Sequence, residues 1–171
     1  MEKTKAINNI LEIQKLIPCF AIYGTSLGII REQDIISHDL DTDLGIMSSD
    51  FKWEHLTTLI KNGYEIYNIY GMRNIGLEIS VKKDGIKTDL MIFYKKDGKI
   101  TNSLWKNDCQ SIDDQIIHEY DPIVFEIQNG NLAGHEVKTL GENYIEAVYG
   151  EEWRIPIEKW DWTKDHKCIK K

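Results

Sequence analysis

The chain has 171 residues, of which 42% are hydrophobic and 29% charged, ordinary values that argue against a disordered, fibrous or membrane-spanning protein. Its 28 acidic against 21 basic residues leave a net charge of −7, which argues against a strong nonspecific grip on nucleic acid or on an anionic membrane. Cys19, Cys109 and Cys168 are odd in number and far apart, so neither a disulfide framework nor a zinc site is expected, and the cytoplasm is the expected compartment. No apolar run reaches the roughly 18 residues of a spanning helix, and the Met1-Glu2-Lys3-Thr4-Lys5 start lacks the pattern of a signal peptide. The length fits a single domain over residues 1–171.

In chain order, Ala6, Ile7, Ile10, Leu11 and Leu16 recur at helical spacing and predict an amphipathic helix over 3–17, ended by Pro18. A short buried strand is expected at Phe20-Ala21-Ile22-Tyr23. After Gly24-Thr25-Ser26 a short helix over Leu27–Arg31 follows, with Thr25 or Ser26 as its cap. An extended stretch over 39–46 precedes a helix from Ser49 or Asp50 to Asn62, which Gly63 terminates. Asp84-Gly85 and Asp97-Gly98 sit between β-branched and aromatic runs and predict a meander of strands at 64–70, 75–83, 86–94 and 99–105. A less regular segment with one strand near 123–127 leads to a helix over 141–149. This order predicts an α+β fold, helices flanking a mixed β-sheet.

The chemistry concentrates in Ser37-His38-Asp39-Leu40-Asp41-Thr42-Asp43-Leu44-Gly45. In an extended chain the side-chain period of two puts Asp39, Asp41 and Asp43 on one face, with Leu40 and Leu44 on the other. Neighbouring carboxylates about 7 Å apart repel by roughly 2 kcal/mol at an effective dielectric of about 20. A basic partner or a divalent cation would relieve that, and an all-oxygen donor set suits Mg²⁺ or Mn²⁺; an exposed turn with solvated aspartates accounts for the same run. An EF-hand does not fit, because Leu44 stands where its turn glycine belongs and Asp50 where its bidentate Glu belongs.

Gly24-Thr25-Ser26, between a strand and a short helix, can present backbone N–H groups to a phosphate, although a strand-to-helix turn also calls for glycine on steric grounds. Asp89 is a lone acid at the mouth of the apolar run Leu90-Met91-Ile92-Phe93-Tyr94. Such an acid is rarely placed there without a partner: a salt bridge to Lys87 or Lys83 is one reading, a third metal ligand or a general base the other.

Glycine and hydroxyl after a first strand, an Asp-x-Asp on a second and a lone Asp on a later one resemble the nucleotidyltransferase fold. Tyr23-Gly24-Thr25-Ser26-Leu27-Gly28-Ile29-Ile30-Arg31, the aspartate cluster, and Tyr149-Gly150-Glu151-Glu152-Trp153-Arg154-Ile155-Pro156 together resemble the LicD/fukutin family, whose pattern is GTLLGxxR, a D-D-x-D or D-x-D cluster and a YGxxWxxP close. The resemblance spans residues 20–160. It implies transfer of phosphocholine, or of a ribitol- or glycerol-phosphate-like group, from a CDP-activated donor onto a glycan or lipid-linked glycan hydroxyl. It further implies that Asp41, Asp43 and Asp89 form a catalytic, metal-holding triad for Mg²⁺ or Mn²⁺, with Gly24, Thr25 and Ser26 facing the donor phosphates. Arg31 closes the first segment, where it can fork onto a phosphate or cap its helix. The chain departs from the family in having Leu40 where many members carry another aspartate, and in lacking the cysteine cluster of the larger animal members.

Among the remaining residues, His38 borders the aspartates as a structural hydrogen-bonder or a phosphate donor. His55, His118 and His135 have no partner at ligand spacing, and no role follows for them. Tyr149 and Trp153 pack the last helix or stack on the donor base. Lys164, Lys167, Lys170 and Lys171 read as a solvated terminus, with weak attraction to an anionic lipid-linked acceptor as the alternative.

Overall fold

The computed structural model describes residues 1–106, 111–157 and 160–170, so Cys109 and Lys171 lie outside the described residues. Helix α1 (Lys3–Leu16) ends just before Pro18, as expected from the steric restriction proline places on its predecessor. Strand β1 (Phe20–Ala21) leads directly into α2 (Tyr23–Glu32). Then come β2 (Asp41–Met47), α3 (Glu54–Lys61), β3 (Glu65–Tyr70), β4 (Glu78–Lys83), β5 (Ile86–Lys96) and β6 (Lys99–Trp105). Strand β7 (Gln115–Tyr120), the hairpin of β8 (Ile127–Leu132) and β9 (His135–Leu140), and α4 (Glu142–Tyr149) complete the chain order.

The strands form one mixed sheet in the order β3-β4-β5-β2-β1-β9-β8, with β6 pairing β5 and β7 pairing β6. Most neighbours are antiparallel; β2 runs parallel to β5, and β1 parallel to β9. This is the expected α+β architecture. Strand alternation decides where the two cores lie. Leu44 and Ile46 of β2, Leu90 and Ile92 of β5, and Ile79 and Val81 of β4 pack with Ala6, Ile10 and Ile13 of α1 and Leu59 of α3. On the opposite face Phe20, Met91 and Phe93 pack with Leu27 of α2 and Tyr144, Ile145 and Val148 of α4. The aspartates of β2 and β5 belong to this second face.

Several boundaries differ from the sequence reading. Helix α2 begins at Tyr23 rather than Leu27, so Thr25 and Ser26 lie within its first turn instead of capping it. Helix α3 starts at Glu54, because Asp50 and Phe51 fold back onto the Met47 carbonyl as a turn. Strand β4 starts at Glu78, since Gly76, at φ +107°, breaks the extension. The strand expected near 123–127 is a single 3₁₀ turn, Pro122–Val124, capped by Asp121; proline has no N–H to give a ladder. Among the described residues no helix is long and apolar enough to cross a membrane.

Candidate active site

Parallel pairing of β2 with β5 sets Asp41 beside Lys87 and Asp43 beside Asp89. Residues in register on neighbouring strands share a face, so all four side chains open into one cavity of about 480 Å³. The Lys87 ammonium bridges two of the acids, 3.0 Å from Asp41 and 2.8 Å from Asp89. Asp89, only 5% exposed, also accepts a hydrogen bond of 2.5 Å from the Ser80 hydroxyl on β4. The salt bridge read as one alternative for Asp89 is therefore present, to Lys87 and not to Lys83, which pairs with Glu12.

Burial pushes the Asp43 carboxyl well above the usual range, with the negative charges of Asp41 and Asp89 adding to it. Two like charges on adjacent strands, about 5 Å apart, repel by roughly 3 kcal/mol at an effective dielectric of about 20. For Lys87, burial pulls downward, yet the hydrogen bond and charge of Asp89, then those of Asp41, hold its ammonium above its ordinary value. Asp39 lies beyond the end of β2 but lines the same cavity. Its carboxyl is pushed up to about 6, chiefly by burial, with His38 opposing and Asp41 adding.

The N-terminus of α2 reaches this acidic floor. The Ile22 N–H donates to the Asp43 carbonyl, and the Asp43 N–H donates to Thr25 Oγ1 at 2.9 Å. Ser26 Oγ donates to the Leu140 carbonyl. Both hydroxyls are buried and turned away from the cavity, so only Gly24 of the expected phosphate-facing trio lines it. A Cβ on Gly24 would lie 2.9 Å from Asp39 Oδ2, so glycine lets the acid approach the helix end. Arg31 also lines the cavity; it pairs with Glu32 and donates to the Trp153 carbonyl.

The donor chemistry of Asp41, Asp43 and Asp89 suits a hard divalent cation. In this arrangement Lys87 occupies the gap between two of them, and among the described residues no three His, Cys, Asp or Glu side chains converge closely enough to hold a metal ion. A metal held by the triad therefore requires the Lys87 ammonium to swing aside, a motion its flexible stem permits.

Three features escaped the sequence. Glu78 on β4 lines the cavity, and burial pushes its carboxyl up to about 8, Asp89 adding to the shift. Trp160 and Trp162 also line the cavity, joining Tyr149 and Trp153, which the sequence offered for stacking on the donor base, in a wall that closes another side. Tyr149 meets Trp160 at a tilt of 47°, ring centroids 4.7 Å apart, and the Arg154 guanidinium covers the Trp153 ring. Beneath the cavity lies a buried network in which Tyr23 Oη contacts His118 Nδ1 at 2.9 Å and Tyr120 Oη at 3.1 Å, and accepts from Asn102. The His118 ring stacks on His166 at 3.8 Å. Strand pairing brings Glu78 beside Met91 and Asn102 beside His118, whereas Trp153, Trp160, Trp162 and His166 come from the chain that follows α4.

Comparison with known proteins identifies the family and the fold. The family described as LicD/FKTN/FKRP, nucleotidyltransferase domain, matches residues 16–139. The chain is 30% identical over 151 residues to the ribitol-5-phosphate transferase FKTN of Macaca fascicularis and to that of Homo sapiens, covering 86% of this chain and 32% of each relative. An uncharacterized protein of Caenorhabditis elegans is 27% identical over 159 residues, covering 86% of this chain and 41% of that protein. The chain thus spans about a third of the length of the FKTN relatives. In fold it is similar to ANT(2")-Ia, solved in complex with adenylyl-2"-tobramycin, with a TM-score of 0.50 at 14% identity, covering 92% of this chain and 80% of that one. The aspartate-bearing strands and the glycine at the helix end fall inside the matched segment, and the chain belongs to the LicD/FKTN/FKRP nucleotidyltransferase-domain family.

Proposed function

We propose that the chain is a LicD-type phosphotransferase, moving an alcohol-phosphate group from a CDP-activated donor onto the hydroxyl of a glycan or lipid-linked glycan. The observation that carries this reading is the register of β2 on β5, which sets Asp43 beside Asp89 at the floor of a cavity that the first turn of α2 also reaches. The name of the FKTN relatives favours a ribitol-phosphate type of cargo over phosphocholine or glycerol phosphate. The cytoplasmic location rests on cysteine usage alone.

Asp41, Asp43 and Asp89 would hold Mg²⁺ or Mn²⁺, which supplies charge neutralisation on the donor diphosphate and on the leaving nucleotide. The remaining steps fall to the chain's own side chains. Lys87, once displaced from Asp41 and Asp89, is placed to meet a phosphate oxygen. The acceptor hydroxyl oxygen attacks the phosphorus that bears the alcohol, the bond from that phosphorus to the bridging oxygen breaks, and CMP departs. The hydroxyl proton goes to a carboxylate. Asp39 is the candidate base, because Asp89 is engaged by Ser80 and Lys87 and because a carboxyl at about 6 is matched to proton transfer near neutrality.

A thermal-shift panel of CDP-choline, CDP-ribitol, CDP-glycerol, CTP and UTP, with and without Mg²⁺, tests the reading. Stabilisation by a CDP-alcohol that depends on Mg²⁺, lost in Asp43→Asn, is the expected result. Product analysis should then find CMP. Pyrophosphate released from an NTP would instead make the chain a nucleotidylyltransferase, and turnover of neither would leave a binding module.

A further inference from the structure

We propose that Glu78 is the specificity residue of this cavity, binding a hydroxyl of a polyhydroxylated alcohol carried on the donor phosphate; the inference rests on the transferase reading above. Glu78 is 8% exposed, and its Oε2 has no hydrogen-bond partner among the described residues. The Trp105 backbone N–H serves the carboxyl as well. Buried polar atoms are nearly always paired, since leaving one unmet costs about 1–3 kcal/mol. Asp89, the other buried acid of this face, has both oxygens occupied, by Ser80 and by Lys87. Glu78 therefore lines the cavity with one buried oxygen that no described residue pairs.

Strand register says which part of the substrate this oxygen would meet. Ser80 pairs with Asp89 and Glu78 with Met91, so Glu78 shares the face of the aspartates but lies two residues further along, roughly 7 Å. With the reacting phosphate at the aspartates, that distance reaches a hydroxyl of the attached alcohol and passes over the phosphate itself. The surroundings at this end, Met91, Leu104 and Trp105, are apolar and buried. A carboxyl there, held largely protonated by burial, can donate to one hydroxyl or accept from it, while the Trp105 ring offers a surface for the alcohol's C–H groups. A site built to pair a hydroxyl discriminates sharply against a ligand that lacks one. Choline has none.

The test measures binding of CDP-ribitol, CDP-choline and CDP to the full chain with Mg²⁺ by calorimetry. Glu78→Ala should weaken CDP-ribitol about tenfold and leave CDP and CDP-choline unchanged, whereas Glu78→Gln, which still donates and accepts, should stay close to the parent. Glu78→Asp keeps the acid but withdraws it by one methylene. It should fold and lose CDP-ribitol selectively, which guards against an Ala variant that fails to fold. Equal weakening of all three ligands, or wild-type behaviour of Glu78→Asp and Glu78→Ala, overturns the proposal while the transferase reading stands. A parent chain that binds no CDP compound removes both.

Discussion

At the scale of single residues, the cavity's electrostatics turn on Lys87. Asp41, Asp43 and Asp89 share one face with this ammonium, which pairs two of them. Removing one partner of a buried ion pair leaves an uncompensated charge, and Asp89 is buried enough to suffer. Lys87→Met keeps the length of the stem and deletes the charge. Without metal the variant should lose about 2–4 kcal/mol in urea unfolding, at the lower side of the buried-pair range because Lys87 is partly solvated. With Mg²⁺ present it should recover, and the midpoint shift produced by Mg²⁺ should exceed that of the parent, because no ammonium competes for the carboxylates. Mg²⁺ shifting neither protein would show that these acids do not form a metal site.

At the scale of elements, the legible features were those with a local physical cause. Pro18 stops α1, and Asp84-Gly85 and Asp97-Gly98 make tight turns in which both residues take positive φ. The β8–β9 hairpin uses the same geometry at Ala133-Gly134, at φ +50° and +87°, but alanine carries no turn signal and Gln128, Asn129 and Asn131 disguise the strand. Strand β7 was obscured because its inward positions are Ile116, His118 and Tyr120, and a buried histidine breaks the apolar alternation. At the site, Asp41, Asp43 and Asp89 could be singled out as acids in sequence, whereas the approach of Glu78 depends on pairing between strands and the wall of tryptophans on the irregular chain that follows α4. Helix α2 offers a test of packing against propensity. Gly28 sits mid-helix, where alanine is favoured by about 1 kcal/mol, yet an added Cβ would meet the Asp34 carbonyl oxygen at 2.6 Å and Ile36 at 3.2 Å. The obstacle is backbone and cannot turn away. Gly28→Ala should therefore destabilise by about 1–3 kcal/mol in urea, and it should weaken donor binding too, since the displaced loop leads straight to His38 and Asp39.

At the scale of the whole molecule, two groups of buried titratable side chains pull stability in opposite directions with pH. Burial lowers His118 from 6.5 to about 4, and burial with the charge of His118 lowers His166 from 6.5 to about 2. Below about pH 6.5 the unfolded chain takes up protons that the native stack refuses, so acid destabilises by about 1.4 kcal/mol per pH unit for each histidine until its native value is reached. Glu78 and Asp39 behave conversely. Burial raises them to about 8 and about 6, from ordinary values of 4.5 and 3.8, and Asp43 shifts the same way. The native state keeps protons that the unfolded chain releases, so stability falls as pH rises from about 4.5 toward 8. The three carboxyls outweigh the two histidines from about pH 5 upward, which places the maximum near pH 4–5 and makes the metal-free protein weaker at pH 8 than at pH 6. Urea midpoints taken across pH 3.5–8.5 check this, and Glu78→Gln should flatten the limb above about pH 6.5 while His118→Asn flattens the acid one. A maximum at pH 8 would mean that these imidazoles and carboxyls are solvated in the native state, and the cavity floor would then be open to water.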